Sequence, residues 1–304
     1  MKILFNYLIF PGFLFSACVG LIAGWIDRKV TARIQWRVGP PWYQNFVDVV
    51  KLLGKETIIP QGAAKLTFLL APFLGLLSAV LVSTILGVTV RLPLESFVGD
   101  LIVVLYLLII PAISIIIGAS SSRNPLASIG ASREMKLVLG YELPFILSII
   151  VVIIKSAGSI QIGSILNHQI NFGSNLVSWS GVLAFIVTIF CMQAKLCFVP
   201  FDMSEAEQEI MAGVFIEYSG LPLAIFKLTK AILLYTMPLF LIILFGAKDL
   251  GPLLLIGKYL GLLVIIILIK NTSPRVRVDQ ALRFFWGMVT PVAIIALVLA
   301  IFGL

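Results

Sequence analysis

The chain has 304 residues, 60% of them hydrophobic and only 12% charged, with a mean hydropathy of +1.12. Soluble domains carry about 25% charged residues, so a chain this apolar cannot cover a water-facing surface and reads as an all-α integral membrane protein. Twenty-two Lys and Arg against fourteen Asp and Glu leave a net charge of +8, which topology must explain before nucleic acid is invoked.

A hydrocarbon core of ~30 Å takes about 20 apolar residues per helix. Such runs lie near 3–26, 66–90, 99–119, 137–157, 176–198, 221–246, 250–270 and 285–304, giving eight transmembrane helices in a single membrane domain, 1–304. None shows the alternation of a barrel strand. The first run lacks a small-residue cleavage site and leads into Asp27-Arg28-Lys29, so it reads as an uncleaved span. Fifteen basic residues fall in the loops after helices 1, 3, 5 and 7, against three (Arg91, Lys155, Lys248) in the loops after helices 2, 4 and 6. The positive-inside rule makes the first set cytoplasmic and puts both termini outside, in a multi-pass protein of the cell membrane. The basic excess is thus topogenic, and no nucleic acid is expected. Eleven of the fourteen acids belong to the same cytoplasmic loops.

The first cytoplasmic loop holds Arg28, Arg33 and Arg37, then Gly39-Pro40-Pro41 and an amphipathic stretch from Trp42 to Glu56. Tyr43, Phe46, Val47, Val50 and Leu53 recur there at helical spacing, with Gln44, Asp48, Lys51 and Lys55 opposite. Such a helix lies on the membrane or under a partner subunit. After helix 3 comes Arg133-Glu134-Met135-Lys136, then Gly140-Tyr141-Glu142-Leu143-Pro144. With helix 4 starting near 137, Glu142 sits about 8 Å along it. A carboxylate at that depth is costly unless protonated, paired or hydrated, which makes it a functional candidate.

The third cytoplasmic loop is the most acidic, from Pro200-Phe201-Asp202 through Ser204-Glu205-Ala206-Glu207-Gln208-Glu209 to Glu217-Tyr218-Ser219-Gly220. Ser204 and Glu207 form a capping-box pattern, with Asp202 and Glu205 as the alternative register. On one helix Glu205 and Glu209 share a face at i,i+4, where like charges call for a raised pKa or an intervening cation. The last cytoplasmic loop carries Pro274-Arg275-Val276-Arg277-Val278-Asp279 and Arg283, with Asp279 and Arg283 spaced to pair. Lys230 and Lys258 lie inside apolar runs and are candidates for an ion pathway. Cys191 and Cys197 are spaced for no zinc or iron–sulfur motif, so no metal ligands are expected.

Taken in order, these motifs resemble the H-type membrane subunit (subunit 1) of respiratory complex I. The residues that carry the resemblance are Asp27-Arg28-Lys29, Arg37-x-Gly39-Pro40, Asp48-x-x-Lys51, Tyr141-Glu142, Pro200-Phe201-Asp202-x-x-Glu205-Ala206-Glu207-x-Glu209, Ala212-Gly213, Glu217-Tyr218-Ser219-Gly220 and Pro274-Arg275-x-Arg277-x-Asp279-Gln280. It runs from helix 1 to helix 8. In that family the acids at the positions of Glu142, Glu205, Glu207, Glu209 and Glu217 surround the quinone cavity and begin a charged channel toward antiporter-like subunits. The chain departs from quinone-reducing members: the segment between Gly39-Pro40 and Asp48 is shorter, Leu137 stands in place of Gln, and Gly140 in place of Ser. Its Gly-Pro-Pro-x-x-Gln stretch is more similar to the corresponding subunit of group 4 membrane-bound [NiFe] hydrogenases and their sulfur-reducing relatives.

The resemblance implies a non-catalytic subunit that docks a peripheral, ferredoxin-dependent hydrogenase-like or sulfur-reducing module and couples its chemistry to H⁺ or Na⁺ translocation. It implies hydrogenase-like large and small subunits and antiporter-like membrane subunits as partners. No cofactor is expected in this chain; [NiFe] or iron–sulfur centres belong to the partner subunits. The ion path is expected to involve Tyr141, Glu142, Glu209, Glu217, Lys230 and Lys258. Contact with the module is expected from Arg28, Arg33, Arg37, Asp48, Lys51, Glu205, Glu207, Arg275, Arg277, Asp279 and Arg283. The alternative is a quinone-binding subunit of a complex I-type NADH or ferredoxin dehydrogenase. A stand-alone transporter would need an inverted repeat, which the sequence lacks.

Overall fold

In a bilayer every backbone N–H and C=O must be satisfied within the protein, and the apolar runs do so as helices. The computed structural model describes residues 2–249 and 251–304, with the side chains of all of these except 2, 3 and 207. The helices are α1 (Lys2–Leu8), α2 (Phe13–Ile34), α3 (Gln44–Leu53), α4 (Lys65–Arg91), α5 (Asp100–Leu107), α6 (Ile110–Ser121), α7 (Pro125–Lys155), α8 (Ile162–Phe172), α9 (Trp179–Lys195), α10 (Glu207–Ile210), α11 (Gly220–Phe245), α12 (Pro252–Thr272), α13 (Val278–Phe284) and α14 (Thr290–Ile301). Among the described residues there is no strand. Among the described residues seven helical stretches are long and apolar enough to cross a membrane. The remaining expected span, 176–198, is the shorter apolar helix α9, of 17 residues.

Several boundaries differ from the hydropathy reading. The first run splits into α1 and α2, and α2 continues past Asp27-Arg28-Lys29 to Ile34. Charged residues do not stop a helix; the chain turns away at Gly39, which adopts φ +74 ahead of Pro40. Helix α7 begins at Pro125, well ahead of the expected 137, because Asn124 caps it. The Asn124 Oδ1 accepts from Leu126 N–H at 2.9 Å, with Pro125 at the first helical position. The last run consists of a π-helical turn at Phe285–Val289 and α14, and α13 extends the helix back to Val278, within the expected loop.

Helix α11 is the hub. Its residues from Met237 to Phe245 are buried without interruption, which explains why it is apolar all round. It packs against α2 and α4, and Gly20 of α2 lies so close to the Ala231 carbonyl that a Cβ would collide with it. Helix α7 packs against α6 on one side and α9 and α14 on the other. A smaller apolar cluster of Phe68, Ile115, Ala127, Ala131, Val214, Tyr218 and Phe226 ties α4, α6 and α7 to the segment ahead of α11.

Contacts between loops sort the helix ends into two faces. On the basic face Arg28 pairs with Asp48 at 3.0 Å, Lys270 with Asp27 at 2.7 Å, and Arg275 with Asp202. On the opposite face Gln161 reaches Ser96 at 2.8 Å, and Gln169 and Asn175 bond the carbonyls that end α11. The C-terminal Leu304 carbonyl accepts from Ser180 on that opposite face.

Helix α3 is amphipathic, but the face it buries is not its most apolar one. Asn45, Val49 and Leu52 are buried, while Tyr43, Val50 and Leu53 stay exposed. Asn45 decides this: its Nδ2 donates to the Leu21 carbonyl at 2.8 Å and fixes the helix roll. The apolar stripe is thereby left for the surroundings.

Candidate functional site

A cleft of about 580 Å³ opens on the basic face. It is lined by Asp202, Glu205, Glu209, Lys230, Lys270 and Arg275, among others. Pro200 and Pro274 open the two segments that build it, and the Val276 N–H bonds the Pro200 carbonyl at 3.2 Å to hold them together. Arg275 grips Asp202 through both guanidinium Nε and Nη2, the fork geometry that suits a carboxylate.

The acidic loop is not one helix. Met203–Glu205 is a 3₁₀ turn, Ala206 leaves helical geometry at ψ 93, and α10 begins only at Glu207. Glu205 and Glu209 therefore share no helical face, contrary to the spacing argument, and each finds its own cation. Glu205 pairs with Lys230, and Glu209 with Arg133 at 2.5 Å. The Ser204 hydroxyl makes no cap to the α10 segment, so the capping box does not form. The Glu207 side chain lies outside the described residues.

Below the cleft the charges continue inward. Lys230 is ten residues into α11, which places it about 15 Å along that helix. Beyond it lies a cavity of about 20 Å³ lined by Glu134, Lys195, Cys197, Thr229 and Lys230. That is room for roughly one water. Glu134 is wholly buried and accepts from the Cys197 thiol at 3.4 Å. A thiol set against both oxygens of a carboxylate is the donor of the pair. On the far side of the cavity Lys195 pairs with Glu142 at 2.7 Å, their side chains only 4% and 16% exposed. The Lys195 ammonium also lies over the rings of Tyr141 (4.9 Å) and Phe145 (4.6 Å), which help replace its lost hydration. The second oxygen of Glu142 is buried without a hydrogen-bond partner among the described residues.

Glu142 lies farther along its helix than a start at 137 placed it. It is about 26 Å along α7 from Pro125, and Glu134 about 14 Å. Because α9 ends at Lys195 opposite Glu142, the loop after α9 folds into the body and carries Cys197 to Glu134.

Of the expected path residues, Tyr141, Glu142 and Lys230 belong to this thread and Glu209 stands at its mouth. Glu217 does not join it: its Oε1 accepts from the Asn124 side chain at 2.5 Å, bracing the start of α7. Lys258 is on the opposite face, donating to the Gly246 and Asp249 carbonyls at 2.8 and 2.6 Å. Of the expected contact residues, Arg28 and Asp48 clamp α2 to α3, with Gln44 donating to Asp48 at 2.8 Å. Burial raises the Asp48 pKa, but the hydrogen bonds from Arg28 and Gln44 outweigh it and hold the carboxyl below its usual range. Arg33, Arg37 and Lys51 are exposed on the basic face. Arg277 lines the cleft, and its N–H bonds the Gln280 side chain at 3.0 Å. Asp279 and Arg283, spaced to pair, form no ion pair with each other.

Sequence reasoning passed over Glu134, Lys195 and Cys197 as functional groups. Glu134 did carry a signal, since it shares the i, i+3, i+7 face of Leu137 and Tyr141, which are both buried. Lys195 and Cys197 had none, because their burial depends on where α9 stops. Among the described residues no three His, Cys, Asp or Glu are grouped to hold a metal ion.

Residues 7–301 match the NADH dehydrogenase family. The chain belongs to the H-type branch of that family. It is 34% identical to the H subunit of the NADH-quinone oxidoreductase of Thermomicrobium roseum, over 97% of this chain and 94% of the relative. It is 32% identical to the corresponding H subunit of Anoxybacillus flavithermus, over 88% and 84% of the two chains. Among solved structures it is similar to a chain of the membrane-bound sulfane sulfur reductase, an archaeal respiratory membrane complex. There the TM-score is 0.89 at 30% identity, covering 99% of this chain and 100% of that one. This H-type chain is therefore the membrane subunit of a complex I-like assembly, and its cleft and buried thread lie within the region shared with the family.

Proposed function

We propose that this chain docks a peripheral, ferredoxin-dependent hydrogenase-like or sulfur-reducing module on its basic face and couples that module's redox chemistry to H⁺ or Na⁺ translocation. The basic face is the cytoplasmic one in this reading, as the positive-inside rule requires. The module brings its hydrogenase-like large and small subunits and their [NiFe] or iron–sulfur centres; antiporter-like subunits adjoin the membrane flank. The observation that carries the reading is the unbroken series of titratable groups running inward from the cleft. Glu205 and Lys230 stand at its outer end, Glu134 and the one-water cavity in the middle, Lys195 and Glu142 at the inner end. Ionisable side chains are rare inside membranes because of their cost, and where they line up they mark pathways for ions.

The flank of α7 beside Glu142 supports the onward route. Leu139, Leu143 and Ile146 are exposed there, forming an apolar surface on which a neighbouring membrane subunit can pack with Glu142 at its edge. A charge change at the cleft, where the redox module sits, shifts the Lys230–Glu205 pair, and the thread transmits that shift to Glu142. The test is the purified complex carrying Glu142→Gln, reconstituted in vesicles. Ferredoxin-dependent hydrogen evolution or polysulfide reduction is measured beside ion uptake. The reading expects electron transfer to persist while ion uptake falls; undiminished uptake overturns it.

A second reading rests on a cavity of about 210 Å³ between α2, α3 and α11, lined by Gly20, Gly24, Asn45, Asp27 and Lys230. Its volume takes a quinone head beside the same lysine. A quinone photo-analogue that crosslinks to α2 or α11 in the intact complex favours this reading, and the absence of crosslinking favours the first.

A further inference from the structure

On the face opposite the cleft, α9, α11 and α12 enclose a groove of about 370 Å³. Its walls are apolar, with Leu176, Phe185, Leu241, Ile242, Leu262 and Ile265. Its volume falls within the ~300–1,000 Å³ of ordinary ligand sites. Two lysines, Lys248 from the turn between α11 and α12 and Lys258 near the start of α12, line it as well. Neither forms an ion pair with any described carboxylate. Lys258 spends two of its three ammonium protons on the carbonyls of Gly246 and Asp249, which leaves a third and the full charge. Those carbonyls fix the ammonium at the groove's mouth. Helix α12 presents Leu260, Val264 and Leu268 outward, so the groove opens on a lipid-facing surface.

We infer that this groove is a specific site for an anionic membrane lipid, with its phosphate bridging Lys248 and Lys258 and a hydrocarbon chain lying against the accessible side chains of Leu176, Phe185 and Ile265. A transmembrane helix from a neighbouring subunit fits the apolar walls, but it answers the two cations only if it also brings acidic side chains to them. A phosphodiester carrying a chain answers both halves of the site. Lys258, which the sequence suggested for the ion path, is thereby a headgroup ligand. The lipid clamps α12, a helix with only Leu262, Leu263, Ile266 and Ile267 buried against the body.

Native mass spectrometry of the purified complex, delipidated and supplied with phosphatidylglycerol, phosphatidylcholine or inorganic phosphate, tests this. One phosphatidylglycerol is expected to remain per copy of this chain, with retention of phosphatidylcholine at least tenfold lower and none of free phosphate. Lys248→Gln/Lys258→Gln removes the headgroup contacts and Gly261→Leu fills the groove, since a Cβ at Gly261 meets nothing within 4 Å. Each is expected to abolish retention while the complex stays assembled. Equal retention by wild type and both variants overturns the proposal, as does equal retention of phosphatidylcholine. A photo-crosslinker at Gly261 that captures another subunit instead of lipid overturns it too.

Discussion

Glu134 is enclosed by protein, yet no described lysine or arginine bonds its carboxylate directly; the Cys197 thiol donates to it instead. A carboxyl so placed is expensive to ionise and exchanges its proton only through the cavity it shares with Lys195 and Lys230. Glu134→Gln keeps the size and a hydrogen-bond acceptor for Cys197 but removes the titratable group. Ion uptake by vesicles is expected to fall by a factor on the order of 10² or more, the typical weight of a positioned proton-transfer group. Module binding should be unchanged. A second substitution separates structure from transport. Lys195→Met strands the Glu142 charge, and breaking a buried pair from one side costs about 3–5 kcal/mol. The detergent-solubilised protein should unfold at lower denaturant concentration, and Lys195→Met/Glu142→Gln should recover most of that loss. Equal midpoints for the single and double variants would show that the pair is not coupled.

At the scale of elements, α3 carries one charged clamp and one exposed apolar stripe beside its buried Asn45 bond. The clamp is Asp48 with Arg28 and Gln44. The Asp48 pKa is lower folded than unfolded, so its contribution is present above the unfolded value of about 3.9 and is lost as pH falls through the folded one. Spin labels on the exposed residues 33 and 51 should therefore report a fixed α2–α3 distance at pH 5 that broadens only below about pH 4. Asp48→Asn should broaden it at every pH. The stripe of Tyr43, Val50 and Leu53 was legible from periodicity as an apolar face, but its direction was not. That direction follows from Asn45, a polar residue whose bond to the Leu21 carbonyl outweighs the preference of Val50 for burial. Helix α7 gives the same lesson. Its span was visible as an apolar run, but its start was hidden because the polar stretch from Pro125 to Lys136 packs on the loop ahead of α11. Likewise the acids of the third loop were visible, while their pairing with Lys230 and Arg133 required the chain to break its helix at Ala206. Hydropathy shows which residues enter the bilayer; it does not show which helix ends meet.

For the molecule as a whole, charge is concentrated in the interior and on the basic face. The interior pairs are matched, lysine to glutamate, so their fields cancel at a distance. The basic face keeps an excess: Arg33, Arg37, Lys51 and Arg283 are exposed and form no ion pair among the described residues. Beside them stand Trp36, 98% exposed, with Val38 and Trp42, so the same surface offers cations and large apolar groups together. An interface of that kind draws its partner by charge and holds it by burial of aromatic side chains. Two perturbations then have different signatures. Raising salt from about 0.1 to 1 M shortens the Debye length from ~10 to ~3 Å and should slow association of the peripheral module without much change in its release. Trp36→Ala should leave association near its original rate and speed release, because it removes buried contact and not charge. Arg33→Glu/Arg37→Glu should reproduce the effect of high salt at low salt. Surface plasmon resonance with the membrane part immobilised in nanodiscs and the module in solution resolves the two rates. If Trp36→Ala changed only association, or if the charge reversal changed only release, the basic face would not be the docking surface.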